Sequence, residues 1–394
     1  MRPQARYATA IELLQTIIDG SPVEKTLTAW ARNSRYAGSR DRAAVRDIVF
    51  DALRRRRSLA WLGGAESGKG IILGVLLSEG IDPASVFSGE GYAPQPLTSD
   101  DLAATRPDLE EAPEAVRLNY PDFLKADLDV SLGERLAPAL MSMQQRAPID
   151  VRVNLLKSDI KSAKAALAND HIETTELAEC STVLRVVEGG RKIASSQAYR
   201  DGLIELQDIA SQMAAEFAGA KPGMTVLDYC AGGGGKTLAL APGMQGEGRL
   251  VAHDINPKRM KDIPNRATRA GAKIEIATEG VPTELIGACD LVFVDAPCSG
   301  SGAWRRNPNE KWRITPEKLK EFNVAQRDAL QTGLTFVRSG GRLVYATCSM
   351  FVNENQRVVD EVLTANPKAK LGSSHTLFPD APGDGFYFAD IVLS

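Results

Sequence analysis

The sequence predicts an α/β protein: a doubly wound, mostly parallel sheet over residues 206–394, preceded by a small α+β module and a helical segment. Three observations lead there. Short apolar runs alternate with helical patterns from Leu206 onward, which is the signature of parallel strands joined by crossover helices. The run Leu291–Asp295 is continuously apolar up to its final acid, as a strand covered on both faces must be. Several of these runs end on groups with chemistry (a glycine-rich loop, acids, two thiols), and ligands of open α/β sheets bind at the carboxyl ends of the strands.

Taken in order, residues 1–115 read as helical. Ala10–Ile18 and Val45–Leu53 carry apolar residues at three-to-four spacing. The segment is locally basic, with Arg32, Arg35, Arg40, Arg42 and Arg46 ahead of Arg54 through Arg57. Four consecutive arginines cannot all face a core, so they form either a solvated helix end or part of an RNA-binding face. Ser88 to Pro113, rich in Gly, Pro, Ser and Asp, reads as a linker or long loop. Residues 116–205 read as a small α+β module, with strands at Asp150–Asn154 and Val183–Val187 and a helix from Asp159, its N-cap, through Ala168. In the last segment strands are expected at Thr225–Asp228, Leu250–Asp254, Ile274–Ala277, Leu291–Asp295 and Leu343–Thr347, with a final one in Phe386–Val392. Pro257 opens one helix, and Thr315, Pro316 and Glu317 open a long one as cap, first-turn proline and acid at the positive end.

With 394 residues the chain has room for two or three domains. The 47 bases against 50 acids give a net charge of −3, so any affinity for nucleic acid must come from local patches. No run is long and apolar enough to span a bilayer, and Met1–Gln4 leads into a mixed helix rather than a signal peptide. Five cysteines without a CxxC spacing argue for a reducing cytoplasm and against a disulfide framework or a zinc site. The three histidines lie far apart in sequence, so no metal is expected.

Two stretches carry the chemistry. Leu291–Asp295 is followed by Ala296-Pro297-Cys298-Ser299-Gly300, and Arg342–Thr347 by Cys348-Ser349. Each thiol alone reads as a small buried hydrophobe; a pair on strand tips beside Asp295 reads as nucleophilic chemistry. The other stretch is Cys230, Ala231, Gly232, Gly233, Gly234, Gly235, Lys236 and Thr237. Its Gly-Lys-Thr tail is that of a phosphate-binding loop, which makes a nucleotidase the rival reading. Cys230 stands where that motif needs its first glycine, and Asp254 at the next strand tip is placed to accept ribose hydroxyls. Gly63–Gly70 approximates the same motif but lacks its metal-binding hydroxyl.

With Cys230–Thr237, Asp295–Gly302 and Thr347–Ser349 in this order, the chain resembles the RsmB (Fmu/Sun) family of RNA cytosine-5 methyltransferases. Gln207–Gln212, Arg305–Trp312, Asn353–Asn355 and Asp384–Phe386 are similar to further family segments, and Asp41 to Leu62 to part of its NusB-like helical domain. The chain departs from the pattern at Gly232-Gly233, where Ala-Pro is usual, at Glu279, where Asp is expected, and at Asn307 and Asn309, where His and Asp are common.

The resemblance implies a Rossmann-like methyltransferase sheet, S-adenosyl-L-methionine as cofactor, and RNA as partner, ribosomal RNA first and transfer RNA second. It makes Cys348 the nucleophile, Cys298 its assistant, and Asp295 a contact to the base edge. Cys230 to Lys236, Asp254, Arg259, Glu279 and Asp295 would hold the cofactor. Arg305, Arg306, Lys311, Gln207, Ser211 and Gln212 would contact RNA. A catalytically idle RNA-binding scaffold is the other alternative. A weak physical argument agrees about the thiols: Asp295 disfavours a thiolate at Cys298, while the hydroxyls of Thr347 and Ser349 are available to one at Cys348.

Overall fold

The apolar run ending at Asp295 lies in the middle of a seven-stranded sheet in a computed structural model that describes every residue except Pro107. The chain divides into two units: residues 1–129, 133–146 and 304–313, and residues 130–132, 147–303 and 314–394.

The first unit is helical. Helices Pro3–Ile18, Val23–Asn33, Ser39–Arg54, Arg56–Leu62 and Gly68–Ser78 bury Leu14, Ile17, Val45, Val49, Leu53, Leu59, Ile71, Ile72 and Leu76 together. The glycines of Gly63–Gly70 are packing residues. A Cβ on Gly63 would sit 1.8 Å from the carbonyl oxygen of Gly70, and Lys69 is held by Asp101 at 2.5 Å. Ser88–Pro113 includes a short helix, Ser99–Ala103, closed by a capping box between Thr98 and Asp101. The arginine run resolves residue by residue. Arg54 is only 6% exposed and donates from Nε to the Arg305 carbonyl at 2.7 Å, while Arg55, Arg56 and Arg57 pair with Glu79, Glu66 and Asp122.

The second unit holds two sheets. The smaller one has strands β1 (Ile149–Val153), β2 (Glu173–Glu176), β3 (Val183–Glu188) and β4 (Ile204–Leu206) in the antiparallel order β2-β3-β1-β4. Its helix, Ile160–Asn169, is capped by Asp159, which accepts from the Ser162 amide at 2.8 Å. The larger sheet contains β5 (Thr225–Asp228), β6 (Arg249–His253), β7 (Glu275–Ala277), β8 (Cys289–Asp295), β9 (Val337–Thr347), β10 (Ala369–Leu377) and β11 (Phe386–Leu393), ordered β10-β11-β9-β8-β5-β6-β7. Strands β5 to β9 run parallel, and the β10–β11 hairpin joins antiparallel beside β9.

Alternation along β8 explains its continuous apolarity. Val292 and Val294 pack with Leu330, Leu334, Val358 and Val362 on one face; Leu291 and Phe293 pack with Ala210, Ala214 and Leu240 on the other. The strand order reverses between β5 and β8, so the loops after these two strands diverge and leave a crevice at their carboxyl ends.

Candidate active site

The loop after β5 is shaped by glycines. Gly232 and Gly234 adopt φ of +52° and +79°, and Gly234 gives way to the helix Gly235–Met244. A Cβ on Gly234 would meet Ile263 at 2.8 Å, and one on Gly232 would meet the Arg259 guanidinium at 3.0 Å. Just beyond β6, Asp254 is 2% exposed; it accepts from the amides of Gly232 and Asn256 at 2.9 Å each and pairs with Arg259 at 3.1 Å.

Lys236, on the first turn of the helix after the loop, reaches across the switch point to Asp295 at 2.6 Å. Burial works against its charge, but Asp295, with Cys348 and Asp228 nearby, holds its pKa above the ordinary value. At the tip of β5, Asp228 is wholly buried. Its Oδ2 accepts from Thr237 at 2.6 Å while Oδ1 has no hydrogen-bond partner. Burial pushes its pKa up to about 7, with Asp295 and Asp254 adding to the rise against Thr237 and Lys236. Burial also raises the Cys230 thiol, which Asp228, Asp295 and Asp254 reinforce, so this sulfur is no thiolate nucleophile.

The two remaining thiols meet. Cys298 and Cys348, in the loops after the adjacent strands β8 and β9, lie 3.4 Å apart. The Cys298 pKa is raised well above normal by the hydrogen bond to Cys348, then by burial, the Cys348 charge and Glu354. Asp295 is not among the main causes, contrary to the expectation from sequence. The hydroxyls beside Cys348 are committed elsewhere: Thr347 donates to Asn355 and Ser349 to Glu354. They are not at the disposal of a Cys348 thiolate.

Other expected site residues are placed differently. Glu279 is exposed beyond the end of β7. Lys311 is 2% and Arg305 6% exposed, in the helical unit, and Lys311 donates to the Arg54 carbonyl at 3.2 Å. Their assignment to RNA phosphate is therefore corrected: both are buried. Arg306 lines a cleft of about 170 Å³ in the same unit with Arg46, Arg54 and Arg146. In the other unit, Gln212 is 2% exposed, accepting from Thr182 and donating to the Gln207 carbonyl at 2.9 Å each, which makes it structural. Gln207 binds Arg152, which also donates to the Gly235 carbonyl at 2.9 Å. Ser211 is half-buried on the helix Ile209–Ala218. Sequence reasoning grouped Asp228 with the glycine loop and Asp254 at the cofactor but gave Glu354 no role, although it stands only six positions after Cys348.

A glycine loop and a buried acid at the switch point of a parallel sheet, with two thiols on the neighbouring tips, define a Rossmann-like methyltransferase domain. Residues 218–390 match the model of the 16S rRNA methyltransferase RsmB/F family. A Synechocystis relative named as a probable ribosomal RNA small subunit methyltransferase B is 30% identical over 65% of this chain; the match spans 59% of that protein's length. The ribosomal RNA small subunit methyltransferase B of Escherichia coli (strain SE11) is 29% identical over 70% of this chain and 67% of its own. Among solved structures, PH0851 has a TM-score of 0.77 at 23% identity, covering 100% of this chain and 99% of that one. A methyltransferase homolog from Pyrococcus horikoshii has a TM-score of 0.61 at 24% identity, covering 70% and 96%. Both share the fold.

The cofactor is S-adenosylmethionine, and the site suits it. At the tip of β5 the buried Asp228 Oδ1 lacks a donor and is open to a ligand group that supplies one. The Gly232–Gly235 backbone, without side chains, lets a ligand approach closely.

Proposed function

We propose that the protein methylates C5 of a cytosine in RNA, ribosomal RNA first and transfer RNA second, through a covalent bond between Cys348 and C6. The observation that carries this reading is the thiol pair, 3.4 Å apart on adjacent strand tips beside the Lys236–Asp295 ion pair. The names of the curated relatives support ribosomal RNA as the substrate.

Bound S-adenosylmethionine supplies an electrophilic methyl group. The chain's own groups supply the rest. The Cys348 thiolate adds to C6, which makes C5 electron-rich enough to take the methyl. The Cys348 charge is one of the groups that keep Lys236 protonated. Cys298 keeps its proton while Cys348 is a thiolate, because that neighbour is the largest cause of its raised pKa. Once the Cys348 sulfur is bonded to C6, this cause disappears. Cys298 can then give its proton to water and, as a thiolate, take the one on C5, while the C5–H electron pair re-forms the C5–C6 double bond and expels the Cys348 thiolate. Asp295, its side chain 32% exposed, is assigned to the base edge near N3. A base paired in a duplex cannot reach these strand tips, so the target is unpaired or flipped out.

The Lys236–Asp295 ion pair counts against the nucleotidase reading, whose lysine and magnesium-binding carboxylate would have to part. The test is tritium transfer from labelled S-adenosylmethionine to an RNA pool, followed by nucleoside analysis. Label in 5-methylcytidine is expected. Label in another nucleoside, or magnesium–ATP binding without affinity for S-adenosylmethionine, overturns the reading.

A further inference from the structure

Glu354 is buried (1% exposed) between the two cysteine loops. Its Oε1 accepts from the Ser299 amide at 2.8 Å and from Gln326 Nε2 at 3.0 Å; its Oε2 accepts from the hydroxyls of Ser299 and Ser349. Ser299 directly follows Cys298, and Ser349 directly follows Cys348. One carboxylate thus joins the residues next to both thiols.

The surroundings hold it rigidly. Glu354 ends a 3₁₀ turn, Val352–Glu354, and its own carbonyl accepts from the buried Tyr345 hydroxyl at 2.6 Å. Gln326, on the helix Pro316–Phe336, also donates to the Pro297 carbonyl at 2.9 Å, fixing the residue before Cys298. Asn355 brackets Cys348, accepting from Thr347 and donating to the Ser349 carbonyl at 2.9 Å. A buried carboxylate satisfied by four donors is costly to disturb, and each donor belongs to an element that carries or braces a thiol.

We propose that Glu354 is the positioning residue of the thiol pair: a clasp across the two strand-tip loops that sets the distance between Cys298 and Cys348. It touches neither substrate nor cofactor and acts through the serines on either side of it. The consequence for catalysis rests on the methyltransferase reading above; the consequence for thiol spacing does not. Its charge also contributes to the raised pKa of Cys298, behind Cys348 and burial.

The test uses the full chain and two independent readouts. Phenylarsine oxide condenses with two neighbouring thiols, forming two As–S bonds and releasing one water, with no change in redox state. Wild-type protein is expected to take up one arsenical on the Cys298–Cys348 pair, located by peptide mass. Glu354→Ala should lose that bridge and lower kcat by about 10- to 100-fold, with KM for S-adenosylmethionine within about twofold, since misplacing reacting groups by about 1 Å costs this much. Glu354→Gln keeps both arms by reversing the serine hydroxyls and should keep the bridge and most of kcat. Ser349→Ala removes one arm with little change in volume and should fall between them, which covers the case in which Glu354→Ala does not fold. The proposal is overturned if Glu354→Ala or Ser349→Ala bridges arsenic like wild type, or if Glu354→Gln loses the bridge as Glu354→Ala does. If bridging follows this order while no variant or wild type methylates RNA, the clasp stands and the enzymatic reading falls.

Discussion

At the scale of single residues, Cys298 and Cys348 differ by what the fold puts beside them. The Cys348 sulfur, through its hydrogen bond and its charge, raises the pKa of Cys298. Cys348 has Lys236 among its charged neighbours, whereas Cys298 has Glu354. Cys348→Ala should therefore abolish methyl transfer and leave no covalent RNA adduct. Cys298→Ala should attack and then stall, giving an adduct that survives denaturing electrophoresis; the opposite trapping pattern would reverse the two roles. Asp254 provides the second prediction. It is buried and braced by two amides and Arg259, and in the proposed reading it accepts from the ribose hydroxyls. Asp254→Ala should weaken S-adenosylmethionine by about 1–3 kcal/mol in calorimetry, through the loss of charge-assisted hydrogen bonds. Unchanged affinity would remove Asp254 from the site.

At the scale of elements, the loop after β5 depends on Gly234. Its positive φ and the Ile263 side chain 2.8 Å from where a Cβ would stand make any substitution both strained and crowded. Gly234→Ala should cost about 1–3 kcal/mol of stability and also loosen the cofactor, measured by melting with and without it. Gly223→Ala has a similar φ of +82° but nothing within 4 Å, so it should cost only the backbone strain and leave cofactor affinity intact. The elements of the second unit were legible because burial on both faces writes a continuous apolar run, as in β8, and because Thr315 and Asp159 are caps that act locally. Strand β10 was not legible: most of Ala369–Leu377 is exposed and polar, and its place is set by pairing with β11 rather than by its own pattern. The thiol loops and Asp254 could be read because strand tips concentrate chemistry. Lys311 and Arg305 could not, since a basic residue satisfied by a buried backbone carbonyl has the same sequence signature as one facing phosphate.

At the scale of the whole molecule, each unit buries an ionisable group with no countercharge close enough to hold it charged, and the two groups titrate in opposite senses. Asp228, in the sheet unit, has its pKa pushed up by burial to about 7. Between about pH 4 and pH 7 the folded state binds the proton more tightly than the unfolded chain, so this group's contribution makes stability fall as pH rises, and the penalty is complete above about 7. Lys311, in the helical unit, has its pKa pushed down to about 7 by burial and then by the nearby Arg54. Its penalty is complete below about pH 7 and is relieved as pH rises toward about 10, where the unfolded lysine also loses its proton. Asp228→Asn should therefore stabilise the sheet unit, by up to about 2–4 kcal/mol, at pH 8 but not at pH 4. Lys311→Met should stabilise the helical unit at pH 6, with the gain shrinking toward pH 10. Hydrogen exchange of core amides in each unit, compared between wild type and variant across pH, separates the two effects from every other titrating group. A gain from Asp228→Asn that grows in acid, or one from Lys311→Met that grows in base, would mean that these groups are charged in the folded protein and stabilised by partners there.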